Sequence, residues 1–172
     1  MPKHLIQIDY KEKTREFLAD NKLRRVSVTS ARPSLNGYQK GRCFYCFREI
    51  SIESNDENFA DVDHFFPHVL RQCDPEKPVN GVANLVLACT ECNRGANGKF
   101  DRLPSIGLLE RLYKRNEYLI TSHHPLRETL IAQTGNTSTK RRDYLQQAYN
   151  CSTLYYGVVK KWEPQQQGIA TF

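Results

Sequence analysis

The sequence has no apolar run that reaches the roughly 18 residues needed to cross a bilayer, so neither a helical membrane anchor nor a membrane partner is expected. Its first residues, MPKHLIQIDYKEK, lack the apolar stretch of a secretory signal. The expected setting is therefore soluble, cytoplasmic and reducing, where disulfides are not expected. Internal repeats are also lacking, which sets aside repeat architectures. One charge sign is missing locally: residues 49–70 hold six acids and no Lys or Arg, whereas residues 1–48 hold eleven Lys and Arg against four acids. A basic arm thus precedes an acidic region. This asymmetry suits a protein that grips phosphates with one segment and holds a divalent cation in another, although two unrelated solvated faces would read the same way.

What is present is a globular composition of 172 residues, 39% apolar and 26% charged, with a formal charge of +6 and a pI near 9.0. A chain this size buries a modest core, to which a metal staple would add. Three segments are expected: a basic helical arm over residues 1–38, a central unit over 39–104 and a helical extension over 105–172. In the arm, residues 10–26 have the sparse apolar stripe Phe17, Leu18 and Leu23 of an amphipathic helix. The following VTSARPSLNGYQKGR reads as loop, with Pro33 and Asn36-Gly37 as its turn signals. Residues 82–88 read as a buried strand entered through Asn80-Gly81, and residues 89–99 as a short or irregular helix. Beyond Pro104, apolar spacing predicts a helix from Ser105 to Ile120. A second is opened by His124-Pro125-Leu126 and closed by Gly135-Asn136, and a third is capped by Ser138 or Thr139. The end, QQQGIATF, reads as a polar tail. The fold class is α+β.

Six cysteines occur, and four form the knuckles Cys43-Phe44-Tyr45-Cys46 and Cys89-Thr90-Glu91-Cys92. Four thiolates from two such turns supply the closed tetrahedral shell of a structural Zn²⁺. The 42 residues between the pairs exceed the interval of a plain zinc ribbon, so a functional insertion is expected there. Cys73 and Cys151 have no partner at ligand spacing and read as buried or incidental thiols.

Inside the interval lies DVDHFFPH, residues 61–68, followed by Asn84 and then by Asn93 directly after the last cysteine. The order Cys-x-x-Cys, Asp-His-x-x-Pro, Asn-Leu-Val-x-x-Cys-x-x-Cys-Asn resembles the HNH family of ββα-metal endonucleases, in its zinc-stapled branch, over roughly a third of the chain, residues 40–104. The resemblance implies a ββα-metal core with a four-cysteine zinc site, flanked by helices. It implies His64 as general base, Asp63 and Asn93 as ligands of a catalytic Mg²⁺ or Mn²⁺, and Asn84 as the side chain that ties the loop and aims His64. These roles suit the residue types: imidazole titrates near neutrality, and carboxylate and amide oxygens are hard donors. The implied activity is hydrolysis of DNA phosphodiesters, by nicking or double-strand cleavage, with RNA not set aside. A place in a restriction or anti-phage defence system is admitted. The rival reading is a non-catalytic zinc module that binds nucleic acid.

Around this core, Arg42, Arg94, Lys99 and Arg102 are candidate phosphate contacts, each with ordinary surface charge as the alternative. His68 is a candidate phosphate contact or stand-in base, against a plain loop histidine. Phe65 and Phe66 read as packing groups rather than stacking platforms, and Asp61 as a solvated or capping carboxylate rather than a water-mediated metal contact. The C-terminal helices offer a surface for a homodimer or a larger protein assembly, which exposure of Tyr155 and Tyr156 would favour.

Overall fold

The structure is a computed structural model, and it describes residues 28–68, 70–157 and 160–172. The basic helix expected over residues 10–26 lies outside the described residues. In chain order the elements are α1 (Arg32–Gln39), β1 (Asp61–His64), α2 (Leu70–Cys73), β2 (Leu85–Ala88), α3 (Thr90–Arg94), α4 (Ile106–Thr121), α5 (Arg127–Thr134) and α6 (Ser138–Tyr156). The chain is thus α+β, a two-stranded sheet surrounded by helices.

The strands β1 and β2 pair antiparallel, with Asp61 opposite Ala88, Val62 opposite Leu87, Asp63 opposite Val86 and His64 opposite Leu85. All four residues of β2 are buried, as a continuous apolar run between layers requires. A two-stranded sheet leaves one side of its inner strand without a ladder, and buried backbone groups must find partners elsewhere. Here Gln39, at the end of α1, acts as a surrogate strand: its Nε2 donates to Leu87 O at 2.8 Å and its Oε1 accepts from Leu87 N at 2.9 Å. Arg115, buried in α4, donates to Leu85 O at 2.8 Å and to Val82 O at 3.1 Å, in the short 3-10 turn Val82–Asn84 that precedes β2. Burial lowers its guanidinium to about 10. The strand therefore starts at Leu85 rather than Val82, because residues 82–84 turn to meet α4.

The segment expected to be loop is helix α1. Pro33 sits in the first turn, where its missing N–H costs nothing. Asn36 Oδ1 accepts from Gly41 N at 2.8 Å, and Lys40 closes the helix in a left-handed conformation at φ 49°. Turn-forming residues here serve a helix end because Leu35 and Gln39 are buried against the core. The later helices begin where periodicity put them, except that the cap of α6 is Thr137, whose side chain accepts from Lys140 N. The stretch KRRDYLQQAYNCSTLYYGVVKKW, expected to be helix as far as Trp162, is helical only to Tyr156, where Gly157 ends it.

Buried apolar residues from the central unit and from the C-terminal helices form one cluster, including Phe44, Phe65, Phe66, Leu87, Leu112, Leu130 and Leu145. Phe65 and Phe66 are packing groups, as expected. The tail is not merely polar: Phe172 packs on Tyr38, Phe44 and Phe47, and Gly168 N donates to Cys46 O at 2.8 Å. Cys151 is disulfide-bonded, which corrects the expectation of an incidental thiol; linear spacing does not report contacts between distant segments. The reading of the Cys73 side chain lies outside the described residues. Among the described residues no helix is long and apolar enough to cross a membrane.

Candidate metal centre and adjoining cleft

The two knuckles converge. Cys43 precedes β1, where the tight turn is closed by Cys43 N donating to Arg48 O at 2.8 Å and Phe47 N to Cys43 O at 3.0 Å. Cys89 and Cys92 bracket the first turn of α3, with Cys89 as its N-cap, its sulfur accepting from Cys92 N at 3.4 Å. All four sulfurs are buried and lie within 4.8 Å of one another. A tetrahedral Zn²⁺ with metal–sulfur bonds of roughly 2.3 Å sets its sulfurs about 3.8 Å apart, and Cys46 Sγ lies 3.7 Å from Cys89 Sγ. The donor set therefore fits a metal ion such as zinc. Without a cation such a shell cannot ionise fully: burial, followed by the neighbouring thiols, pushes Cys43 up, whereas hydrogen bonds from the other three hold the Cys46 thiolate down.

Tyr45 lies between the first two cysteines and links the cluster to β1. Its buried hydroxyl donates to Asp63 Oδ2 at 2.6 Å. Asp63 also pairs with Lys99, whose Nζ lies 3.2 Å from Oδ2 and donates to His64 O at 2.8 Å. Burial raises the Asp63 carboxyl above its ordinary value, and Lys99, then Tyr45, pull it back. Lys99 is fully buried, so the expectation that it faces a phosphate surface is corrected: a buried carboxylate on β1 demands a cation, and Lys99 supplies it.

Asn93 does not meet Asp63. Projecting from α3 across β1, it donates from Nδ2 to Asp61 Oδ2 at 2.9 Å, and Arg94 Nε donates to the same oxygen at 2.9 Å. Asp61 and Asn93 are therefore adjacent hard-donor side chains, and both β1 carboxylates are engaged, Asp61 by Asn93 and Arg94 and Asp63 by Tyr45 and Lys99. Asp61 is half-buried and caps no helix, Cys89 being the cap of α3; its carboxylate is instead held by side chains of α3. Asn84 clamps the loop after β1: its Oδ1 accepts from Phe66 N at 2.6 Å, and its Nδ2 donates to Phe66 O at 3.0 Å and Val79 O at 2.8 Å.

His64 ends β1, and its Nε2 lies 2.7 Å from Oδ1 of the buried Asn80. The Asn80 amide oxygen can accept from the ring when Nε2 carries the proton, which orients the imidazole. Asn80 was legible only as a turn residue. The exposed His68 ring lies 4.6 Å from that of His64. Both imidazoles border a cleft of about 340 Å³, whose other walls include Phe100, Asp101, Tyr155 and Tyr156. The remaining candidate cations are peripheral. Arg42 pairs with Glu49 at 3.4 Å, the exposed Arg94 pairs with Asp61, and the exposed Arg102 donates to Gly98 O.

No protein-family model, no curated protein and no solved structure matches the chain.

Proposed function

We propose that the chain is a metal-dependent HNH-type endonuclease that hydrolyses DNA phosphodiesters, with a structural Zn²⁺ in its four-cysteine shell. The observation that carries this reading is the setting of His64. It stands at the end of a strand, borders an open cleft, is oriented by a buried amide, and precedes a loop pinned by Asn84, on a sheet stapled by the cysteines. A general base needs this combination of access and fixed orientation. His64 takes the proton of the attacking water, and Asn80 holds the ring while charge develops on it.

The catalytic Mg²⁺ or Mn²⁺ implied by the resemblance is fitted by the donors only in part. Asp63 is engaged with Lys99 and Tyr45, and Asp61 with Asn93 and Arg94, so an ion held by Asp61 and Asn93, whose side chains adjoin, would have to displace the exposed Arg94. Such an ion supplies polarisation of the phosphate and stabilisation of the leaving oxygen. The Asp63–Lys99 pair is also the observation that favours the rival reading, a zinc module that binds nucleic acid without cutting it.

Purified protein incubated with supercoiled plasmid separates the two. The nuclease reading predicts relaxed or linear product with Mg²⁺ or Mn²⁺ and none in chelator. Retarded but intact plasmid under all metal conditions would establish the binding module instead. Asp61→Ala and Asp63→Ala, assayed across Mn²⁺ concentrations, show which carboxylate serves the ion, since loss of a ligand is partly rescued by excess metal.

A further inference from the structure

The cleft beside His64 has an unusual lining for a site that is to receive a polyanion. Among the described residues its carboxylates are those of Asp63, which is paired with Lys99, and Asp101, and no Lys or Arg lines it. Its outer wall is aromatic. Phe100 and Tyr155 remain 54% and 55% exposed, and Tyr155 meets Tyr156 edge to face, the rings 5.7 Å apart and inclined at 82°. The Tyr156 hydroxyl donates to Asp101 O at 2.6 Å, which fixes that corner to the loop carrying Phe100. Phe100 itself adopts φ 49°, a left-handed conformation that bulky side chains rarely take. Phe47 shares such a conformation, but its ring is buried in the core. The Phe100 ring is held at the cleft mouth by a costly backbone without the compensation of burial, a pattern associated with functional sites.

We infer that this cleft takes an unpaired nucleobase, stacked on Tyr155 and Phe100, so that the substrate is single-stranded or locally unpaired nucleic acid. The inference rests on the nuclease reading and names its substrate class. A base presents a neutral π-face to the rings, and its exocyclic amino group can donate to the Asp101 carboxylate. Duplex DNA keeps its bases stacked inside and presents no free base face to the aromatic wall. The volume of about 340 Å³ lies within the roughly 300–1,000 Å³ typical of small-ligand sites. Tyr155 and Tyr156, which the sequence suggested as a protein-docking surface, are placed where a substrate base would lie.

The test uses oligonucleotides carrying 2-aminopurine in single-stranded, forked and blunt-duplex form, titrated with the full chain in divalent-free buffer. Single-stranded and forked DNA should bind several-fold more tightly than duplex, with quenching of the stacked 2-aminopurine. Base–aromatic stacking of this kind predicts that Tyr155→Ala weakens single-strand binding roughly 5–100-fold. Tyr155→Trp should retain binding, and Leu154→Ala, at an exposed neighbour outside the cleft lining, should leave it unchanged. Duplex preference, or unchanged single-strand affinity in Tyr155→Ala, overturns the inference. The same oligonucleotides with Mg²⁺ keep the two claims apart. Cleavage of duplex that ignores Tyr155→Ala removes the base site and leaves the nuclease. Single-strand binding that depends on Tyr155, with no cleavage of any form, supports the base site and removes the nuclease.

Discussion

Asp63 shows how much of a site depends on residues far away in the chain. The resemblance implies it as a metal ligand, yet it is buried and shares its charge with Lys99, 36 residues on. Neither Lys99 nor Asn80 could be placed from the sequence, because a lysine after a glycine and an asparagine before one carry the marks of surface loop. The cysteines were legible, since their spacing is itself the chemistry. The buried pair has a measurable consequence. Lys99→Met leaves the Asp63 charge uncompensated and should cost about 3–5 kcal/mol at neutral pH. Burial already raises this carboxyl in the fold, and loss of Lys99 raises it further. In the window above the unfolded value of about 4, the native variant then holds a proton that the unfolded chain has released. Its stability falls as pH rises through that window and returns on acidification. Urea midpoints at several pH values should show the gap to the native chain narrowing as pH drops; a gap that is constant, or widens on acidification, contradicts the pairing.

Among the elements, the helices of the C-terminal extension were legible from the apolar spacing of α4 and α6 and from the stop signal Gly135 after α5, whereas the end of α6 at Tyr156 was not. Helix α1 was not, because Pro33 and Asn36-Gly37 are turn signals whose meaning depends on what Leu35 and Gln39 can reach. The same dependence makes Gln39 a sensitive position. Its amide satisfies both backbone groups of Leu87 on the side of β2 away from β1. Gln39→Leu preserves the apolar packing but removes both bonds, and should cost about 1–3 kcal/mol for the buried N–H that loses its partner. Chemical denaturation measures this; a change below about 0.5 kcal/mol, the level of an ordinary surface substitution, would mean that the strand edge is satisfied otherwise. The tail was misread for a similar reason, since Phe172 is one aromatic in a polar run and only the assembled core shows what it covers.

For the whole molecule, one apolar cluster joins the sheet to all the larger helices, and the cysteine shell ties the segment before β1 to the end of β2. Metal and fold should therefore fall together. Metal analysis should find about one Zn²⁺ per chain, and Cys89→Ser should lose it along with cooperative unfolding; a chain that stays folded after chelation under reducing conditions contradicts this. Activity should separate from fold at a single residue. His64 borders the cleft and contributes no sulfur to the shell, so His64→Ala should keep zinc content and DNA affinity near those of the native chain. The most direct measurement is the cleavage rate of metal-activated His64→Ala beside the native protein and His68→Ala, at saturating DNA. Removal of a general base predicts a fall of about 10²–10⁴-fold for His64→Ala, with His68→Ala retaining most activity. Native rates in His64→Ala, or loss of cleavage in His68→Ala alone, would contradict the assignment of His64 as the base.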